Sequence, residues 1–134
     1  MANQGSARII LAEDDAPLRE LIASVLRTSG YDVIELPDGA ELLEYAAAHL
    51  SSDGTIRGVD LIITDYRMPH YSGLDVLTAL RRVLTDTPVI LITAFGDFET
   101  HTYARALDVA AIFDKPFDVD ELAYKVSSTL ATHA

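Results

Sequence analysis

The feature that most constrains the fold is a regular alternation of short apolar runs with amphipathic segments. Runs of uniformly apolar residues are typical of strands that are covered on both faces. Five short runs rich in apolar residues, four of which also include charged ones, lie at residues 8–13, 31–36, 59–64, 88–93 and 111–114. Helices are predicted from Asp15 to Gly30 and over 38–50, 73–84, 97–107 and 118–131. This alternation favours an α/β fold, a doubly wound parallel sheet of five strands joined by right-handed crossovers.

The segment after the first strand carries the clearest helix signals. Asp15 is suited to cap the N-terminus, Pro17 suits the first turn, and Gly30 closes the helix. Apolar residues repeat at intervals of three and four, which predicts an inward face made of Leu18, Leu21, Ile22, Val25 and Leu26. In the last helix the predicted inward residues are Leu122, Val126 and Leu130.

The composition suits one soluble globular domain, which we place at residues 8–131 between tails at 1–7 and 132–134. The 21 acidic residues against 10 Lys and Arg give a formal charge of -11, which disfavours direct binding to nucleic acid or anionic lipid. The absence of cysteine excludes thiol catalysis and thiolate metal sites. No stretch reads as a signal peptide or a membrane span, so we expect a cytoplasmic protein.

Polar groups follow the predicted strands at the points where they end. The first strand is followed by Glu13, Asp14 and Asp15, the third by Asp65, the fourth ends in Thr93, and the fifth leads to Lys115-Pro116. The carboxyl ends of parallel strands share one edge of a sheet, and ligands bind beyond that edge at the switch point of the strand order. We therefore expect these side chains to converge, although they are far apart in sequence.

Carboxylates brought together in this way repel each other unless a cation offsets their charge. Mg²⁺ is the natural cation, because it prefers oxygen ligands and is commonly held by one or two carboxylates with phosphate oxygens. The hydroxyl of Thr93 and the ammonium of Lys115 suit a bound phosphoryl group. Asp65 is then a candidate nucleophile, because carboxylates can form aspartyl phosphates. Each residue alone is better explained by a turn cap, so the functional interpretation depends on the whole set.

Four stretches carrying these residues resemble the receiver domain of two-component response regulators, over roughly residues 8–131. The stretches are "RIILAEDD", "DLIITDYRMPHYSGLDVL", "PVILITAFGD" and "FDKPFDVDEL". The resemblance implies a flavodoxin-like (βα)5 fold with strand order 2-1-3-4-5. It also implies a phosphorylation-activated switch in a two-component regulatory system, in which Asp65 accepts a phosphoryl group from a sensor histidine kinase or a histidine phosphotransfer protein.

The resemblance implies a role for each residue at the predicted edge. Mg²⁺ would be coordinated by Asp14, Asp65 and the backbone carbonyl of Arg67, with Glu13 acting through water. Thr93 would bond a phosphoryl oxygen and Lys115 would pair with it, and the Lys115-Pro116 bond is expected to be cis. Such a protein is not a conventional enzyme, although it promotes its own phosphoryl transfer and autodephosphorylation.

One position departs from the family pattern. Receivers usually carry an aromatic residue three positions before the lysine, where this chain has Ile112. Phe113 comes one place later and is expected to face the opposite side of the strand. We therefore expect signalling to depend on Thr93 and on repacking of the helix at 97–107.

The residues around Asp65 and Thr93 carry further expectations. Arg67 and Phe95, two places after these residues, are candidates for screening the attacking water and setting the lifetime of the phosphate. The pair Met68-Pro69 is expected to shape the loop after Asp65, and Gly73 to permit the turn into the next helix.

Three other functions remain open at this point. A phosphohydrolase with an Asp nucleophile usually has a second Asp two residues later, where this chain has Arg67. A flavin or dinucleotide binder would have a Gly-rich turn after the first strand, which is missing. A phosphorylation-independent, receiver-like interaction module is the main alternative. For the receiver, a downstream effector or output domain would meet the last two helices and strand, and phosphorylation could produce a homodimer.

Overall fold

The computed structural model describes residues 6–68, 71–84, 86–94 and 98–133. In chain order the strands are β1 (Arg8–Ala12), β2 (Asp32–Leu36), β3 (Leu61–Asp65), the two-residue strands β4 (Arg67–Met68) and β5 (Tyr71–Ser72), β6 (Val89–Thr93) and β7 (Ala111–Asp114). The helices are α1 (Ala16–Thr28), α2 (Gly39–His49), α3 (Gly73–Val83), α4 (Phe98–Ala106) and α5 (Val119–His133). None of the helices in this part of the chain has both the length and the apolar character needed to cross a bilayer.

The main sheet has five strands in the order β2-β1-β3-β6-β7, and every neighbouring pair is parallel. Counted along the chain within this sheet, the order is the predicted 2-1-3-4-5 of the flavodoxin-like fold. The strand order reverses between β1 and β3, which therefore form the switch point. β7 lies at one edge and has a single neighbour in the sheet.

Side chains of successive strand residues point to opposite faces of the sheet, so the core has two halves. One half contains Ile10 and Ile62 with residues of α2 and α3, among them Leu42 and Leu77. The other half contains strand residues such as Ile63 together with residues of α1 and α5, among them Ile22, Leu26, Leu122 and Val126. Burial on both faces explains why β3 and β6 consist of buried residues throughout, without a polar alternation.

The start of α1 follows the sequence prediction. The Asp15 side chain accepts a hydrogen bond from the backbone N–H of Leu18 at 3.2 Å and caps the helix. At the other end Gly30 has a φ of 96°, a conformation that glycine adopts without a steric penalty.

The prediction of an inward Leu21 was wrong, because this side chain is 51% exposed. Its neighbour Ile22, rotated by roughly 100° around the helix axis, is the one that faces the sheet.

A short ladder and several boundaries also differ from the prediction, among them the third strand, predicted at 59–64 and observed at Leu61–Asp65. A small antiparallel ladder joins β4 and β5, with Arg67 opposite Ser72 and Met68 opposite Tyr71, where the sequence predicted only a loop. Strands of two residues are too short to produce a recognisable alternation. The last helix ends at His133 instead of residue 131, because fraying helix ends carry little pattern of their own. Pro69 lies outside the described residues.

Candidate functional site

The predicted residues meet at the carboxyl edge of the sheet. Glu13 follows β1, Asp65 ends β3, Thr93 ends β6, and Lys115 follows β7. The register sets Asp65 opposite Ile92 and Thr93 opposite Asp114, so these strand ends are at one level. The backbone N–H of Lys115 donates to the carbonyl oxygen of Thr93 at 2.7 Å, which extends the β6–β7 pairing by one residue.

Three carboxylates form a compact cluster at this edge. One carboxylate oxygen each of Glu13, Asp14 and Asp65 lies within 4.8 Å of the others. Glu13 is fully buried and Asp65 is 2% exposed, whereas Asp14 is exposed to solvent. The cluster is therefore open on one side, where a cation with its own waters and a phosphate-bearing ligand can approach.

Lys115 bridges the two buried acids. Its Nζ donates to Asp65 Oδ2 at 2.7 Å and lies 3.3 Å from Glu13 Oε1. Burial of the lysine opposes its charge, but the hydrogen bond to Asp65 and the negative charges of both acids outweigh burial and raise its pKa. Lys115 therefore remains a cation between the two acidic side chains.

Glu13 is held in an unfavourable environment for a charge. Burial, then a hydrogen bond shared with Asp65 and the negative charge of that residue, raise the pKa of Glu13 to about 8. The backbone N–H of Asp15 and the ammonium of Lys115 oppose this rise only in part. Oε1 of Glu13 is buried and has no hydrogen-bond partner among the described residues. A buried oxygen that makes only an ion-pair contact of 3.3 Å with Lys115, beside two further acidic side chains, fits the oxygen-ligand chemistry of Mg²⁺.

Arg19 is a member of the site that the sequence did not reveal. From α1 its Nη1 donates to the backbone carbonyl of Glu13 at 2.7 Å, while its Nε lies 3.4 Å from Glu35 Oε1. Nη1 of Arg27 donates to the other carboxylate oxygen of Glu35, Oε2, at 2.9 Å. The turn carrying Glu13 and Asp14 is thus tied to both α1 and β2. An arginine one turn after a capping Asp is a weak signal, because such residues are most often solvated.

The remaining predicted residues are placed as follows. Thr93 is 1% exposed at the end of β6, and the Lys115-Pro116 peptide bond is cis. Ile112 packs against the core half that contains α2, α3 and Ala104 of α4, whereas Phe113 packs on the opposite half. The prediction that Ile112 and Phe113 face opposite sides of the sheet is therefore confirmed. The backbone of Arg67 is paired in β4, and Phe95 lies outside the described residues.

Comparison with known proteins agrees with this arrangement. A model of the response regulator receiver domain matches residues 9–127. The chain belongs to that family. This receiver is 33% identical over 125 residues to the DNA-binding transcriptional regulator NtrC of Rhizobium meliloti, and 33% identical over 118 residues to the transcriptional regulatory protein PdtaR of Mycobacterium tuberculosis. These alignments cover 93% and 86% of the receiver but only 24% and 52% of the two relatives.

Solved structures give the same result. The receiver domain of the Francisella response regulator 1452 superposes with a TM-score of 0.82 at 25% identity, over 96% of this chain and 99% of that one. A CheY-like receiver from Methanospirillum hungatei superposes with a TM-score of 0.83 at 19% identity, which supports the shared fold alone. Membership of this family supports a phosphoacceptor switch of a two-component system.

Proposed function

We propose that Asp65 is the phosphoacceptor of this receiver and that its phosphorylation depends on Mg²⁺. The observation that carries the proposal is the position of Asp65, at the switch point of the sheet, 2% exposed, beside two further acids and 2.7 Å from a lysine ammonium. Burial disfavours the negative charge that a nucleophilic carboxylate needs. The ammonium of Lys115 offsets that charge at the position of Asp65. Membership of the receiver family is the reason for proposing phosphoryl transfer to this residue.

The donor in this proposal is a phosphohistidine of a sensor kinase or of a histidine phosphotransfer protein. A carboxylate oxygen of Asp65 attacks the phosphorus, an O–P bond forms, and the N–P bond to the donor imidazole breaks. The electron pair of that bond leaves with the imidazole nitrogen. Lys115 balances the negative charge of the phosphoryl oxygens, and the hydroxyl of Thr93 donates a hydrogen bond to one of them. Positioning and charge neutralisation account for most of such a reaction.

Three groups of this chain would hold the metal, namely Asp14, Asp65 and the backbone carbonyl of Arg67, with Glu13 contributing through water. When bound, Mg²⁺ supplies positive charge that neutralises the acids and the transferring phosphoryl group. The chain's own contribution is the fixed turn at Glu13 and Asp14, which Arg19 restrains. A turn held in place before binding lowers the entropy lost on binding.

The output in this proposal is a change in the surface formed by α4, β7 and α5. Phosphorylation favours a conformation in which this surface binds an effector, an output domain or a second copy of the receiver. Two tyrosines already lie on this surface, Tyr103 on α4 and Tyr124 on α5, with exposed fractions of 49% and 76%. Aromatic side chains of this kind are common anchors at protein interfaces.

The proposal is tested by measuring intact mass after incubation with acetyl phosphate, with and without Mg²⁺. We expect the wild type to gain one phosphoryl group only with Mg²⁺, and the adduct to be labile as an acyl phosphate. Asp65→Asn should gain nothing, whereas Asp86→Asn, a control at an exposed aspartate, should behave as wild type. A folded wild type that binds Mg²⁺ but forms no adduct would contradict the proposal and favour a phosphorylation-independent interaction module.

A further inference from the structure

Helix α4 is attached to the sheet by a polar contact that the proposed phosphoacceptor chemistry does not use. Nε2–H of His101, on α4, donates to Oδ1 of Asp114 at 2.9 Å. The histidine side chain is only 21% exposed and the carboxylate is 49% exposed, so the contact is partly shielded from solvent. Partial burial makes such a hydrogen bond stronger than a fully solvated one.

Asp114 occupies a particular place in the sheet. It ends β7, stands opposite Thr93 in the register, and directly precedes Lys115. The two residues expected to engage a phosphoryl group are therefore its cross-strand partner and its chain neighbour. Any displacement of this strand end that accompanies phosphoryl binding must also move the carboxylate that holds His101.

Over residues 100–106 of α4, the part of the helix whose side chains the structure describes, little apolar surface is buried. Of the helix residues whose side chains the structure describes, only Thr100 and Ala104 are buried, and both are small. Ile112, which faces the same core half, has no polar atom with which to bond the helix. Where little apolar surface is buried, a directional polar contact has a larger share in holding that part of the helix.

We propose that the His101–Asp114 contact couples α4 to the phosphorylation site, with His101 acting as a positioning residue. The inference rests on the proposed function, because it assigns the route by which phosphorylation of Asp65 reaches the α4 surface. The energy of a hydrogen bond depends on its length and angle, so a shift at the end of β7 changes how firmly α4 is held. A contact whose strength differs between two states couples them.

The test is amide hydrogen exchange of residues 98–106, measured by mass spectrometry with and without acetyl phosphate and Mg²⁺. Intact mass is recorded on the same samples, so that the extent of phosphorylation is known. In the wild type we expect phosphorylation to change the exchange of this segment. In His101→Leu and in Asp114→Ala, at equal phosphorylation, we expect less than half of that change.

Three comparisons separate coupling from a general loss of packing. The double variant His101→Leu/Asp114→Ala should lose no more of the change than either single variant, because each single variant already removes the same contact. His101→Gln keeps an N–H donor and should restore the larger part of the change. Arg105→Gln, at an exposed residue of the same helix, should respond as wild type.

The possible outcomes are distinct. An undiminished response in phosphorylated His101→Leu overturns the inference and leaves the proposed function intact. So does a phosphorylated wild type in which residues 98–106 exchange as before. If the wild type takes up no phosphoryl group, the proposed function and the inference fail together. Should His101→Leu not fold, Asp114→Ala and the glutamine rescue give the same decision.

Discussion

Replacing Glu13 with Gln should stabilise the metal-free protein at alkaline pH. Glu13 is fully buried, and its pKa is raised from 4.5 to about 8 by burial and by Asp65. Folding therefore favours the protonated side chain. The stability that this residue contributes is fully present below pH 4.5 and is lost as the pH rises through about 8. Gln resembles the protonated acid in size and carries no charge to desolvate.

The size of the effect follows from the two pKa values. One pKa unit corresponds to about 1.4 kcal/mol, so the rise from 4.5 to about 8 destabilises the folded protein at pH 8 by roughly 4 kcal/mol. The attraction of the Lys115 ammonium, 3.3 Å from Glu13, lowers the pKa of Glu13 and is therefore already part of this difference. We expect a stabilisation of roughly 4 kcal/mol at pH 8 and little difference near pH 4.5.

The measurement is urea unfolding in EDTA at several pH values between 4.5 and 8.5. Glu20→Gln, at an exposed glutamate of α1, serves as the control and should unfold as wild type at every pH. Addition of Mg²⁺ should stabilise the wild type more than the Glu13→Gln variant, because a ligand stabilises only the form that binds it. Equal or lower stability of the variant at pH 8 in EDTA would refute the reasoning about the buried acid.

Three further changes probe the positioning of the site, the route of the signal and the core. Arg19→Met removes the hydrogen bond to the Glu13 carbonyl and should weaken Mg²⁺ binding about threefold to tenfold by calorimetry; an unchanged affinity would show that the turn holds itself. Thr93→Ala should reduce phosphorylation-dependent binding in a pull-down more than Ile112→Ala does, and the opposite order would argue for Ile112 as the main switch residue. Leu26→Ala, at a residue 1% exposed, should lower the free energy of unfolding by about 2–5 kcal/mol in urea, and a loss under about 1 kcal/mol would speak against tight packing there.

The sheet could be predicted from sequence because its pattern is repeated and local. Each of the five strands is a short run rich in apolar residues, and β3 and β6, which are buried throughout, show no polar alternation that would indicate an exposed strand. The ladder of β4 and β5 was missed because two residues carry no period. Leu21 was wrongly predicted to face inward because it lies at the edge of the apolar face that a spacing of three and four defines. Only a narrower part of that face contacts the sheet, and Leu21 lies outside it.

The carboxylates and Lys115 could be predicted as a group because strand ends in a parallel sheet share an edge. The contacts of Arg19 and His101 could not, since they join helices to strand ends through side chains whose direction depends on tertiary packing. His101 and Asp114 are separated by 13 residues, and nothing in that spacing distinguishes a pair in contact from two solvated residues. Such contacts are seen only when the helix is docked.

The placement of the charges suggests which part of the receiver is free to respond. Glu13 and Asp65 are held by β1 and β3, each of which has neighbours on both sides. Lys115 follows β7, an edge strand that has one neighbour and whose four residues are all partly or largely exposed to solvent. Displacing an edge strand breaks fewer contacts than displacing a central one, so a change in charge at Asp65 is relieved at lowest cost by movement of the lysine and its strand. The His101–Asp114 contact joins α4 to this movable edge and not to the rigid centre, which is where a conformational signal of this site should emerge.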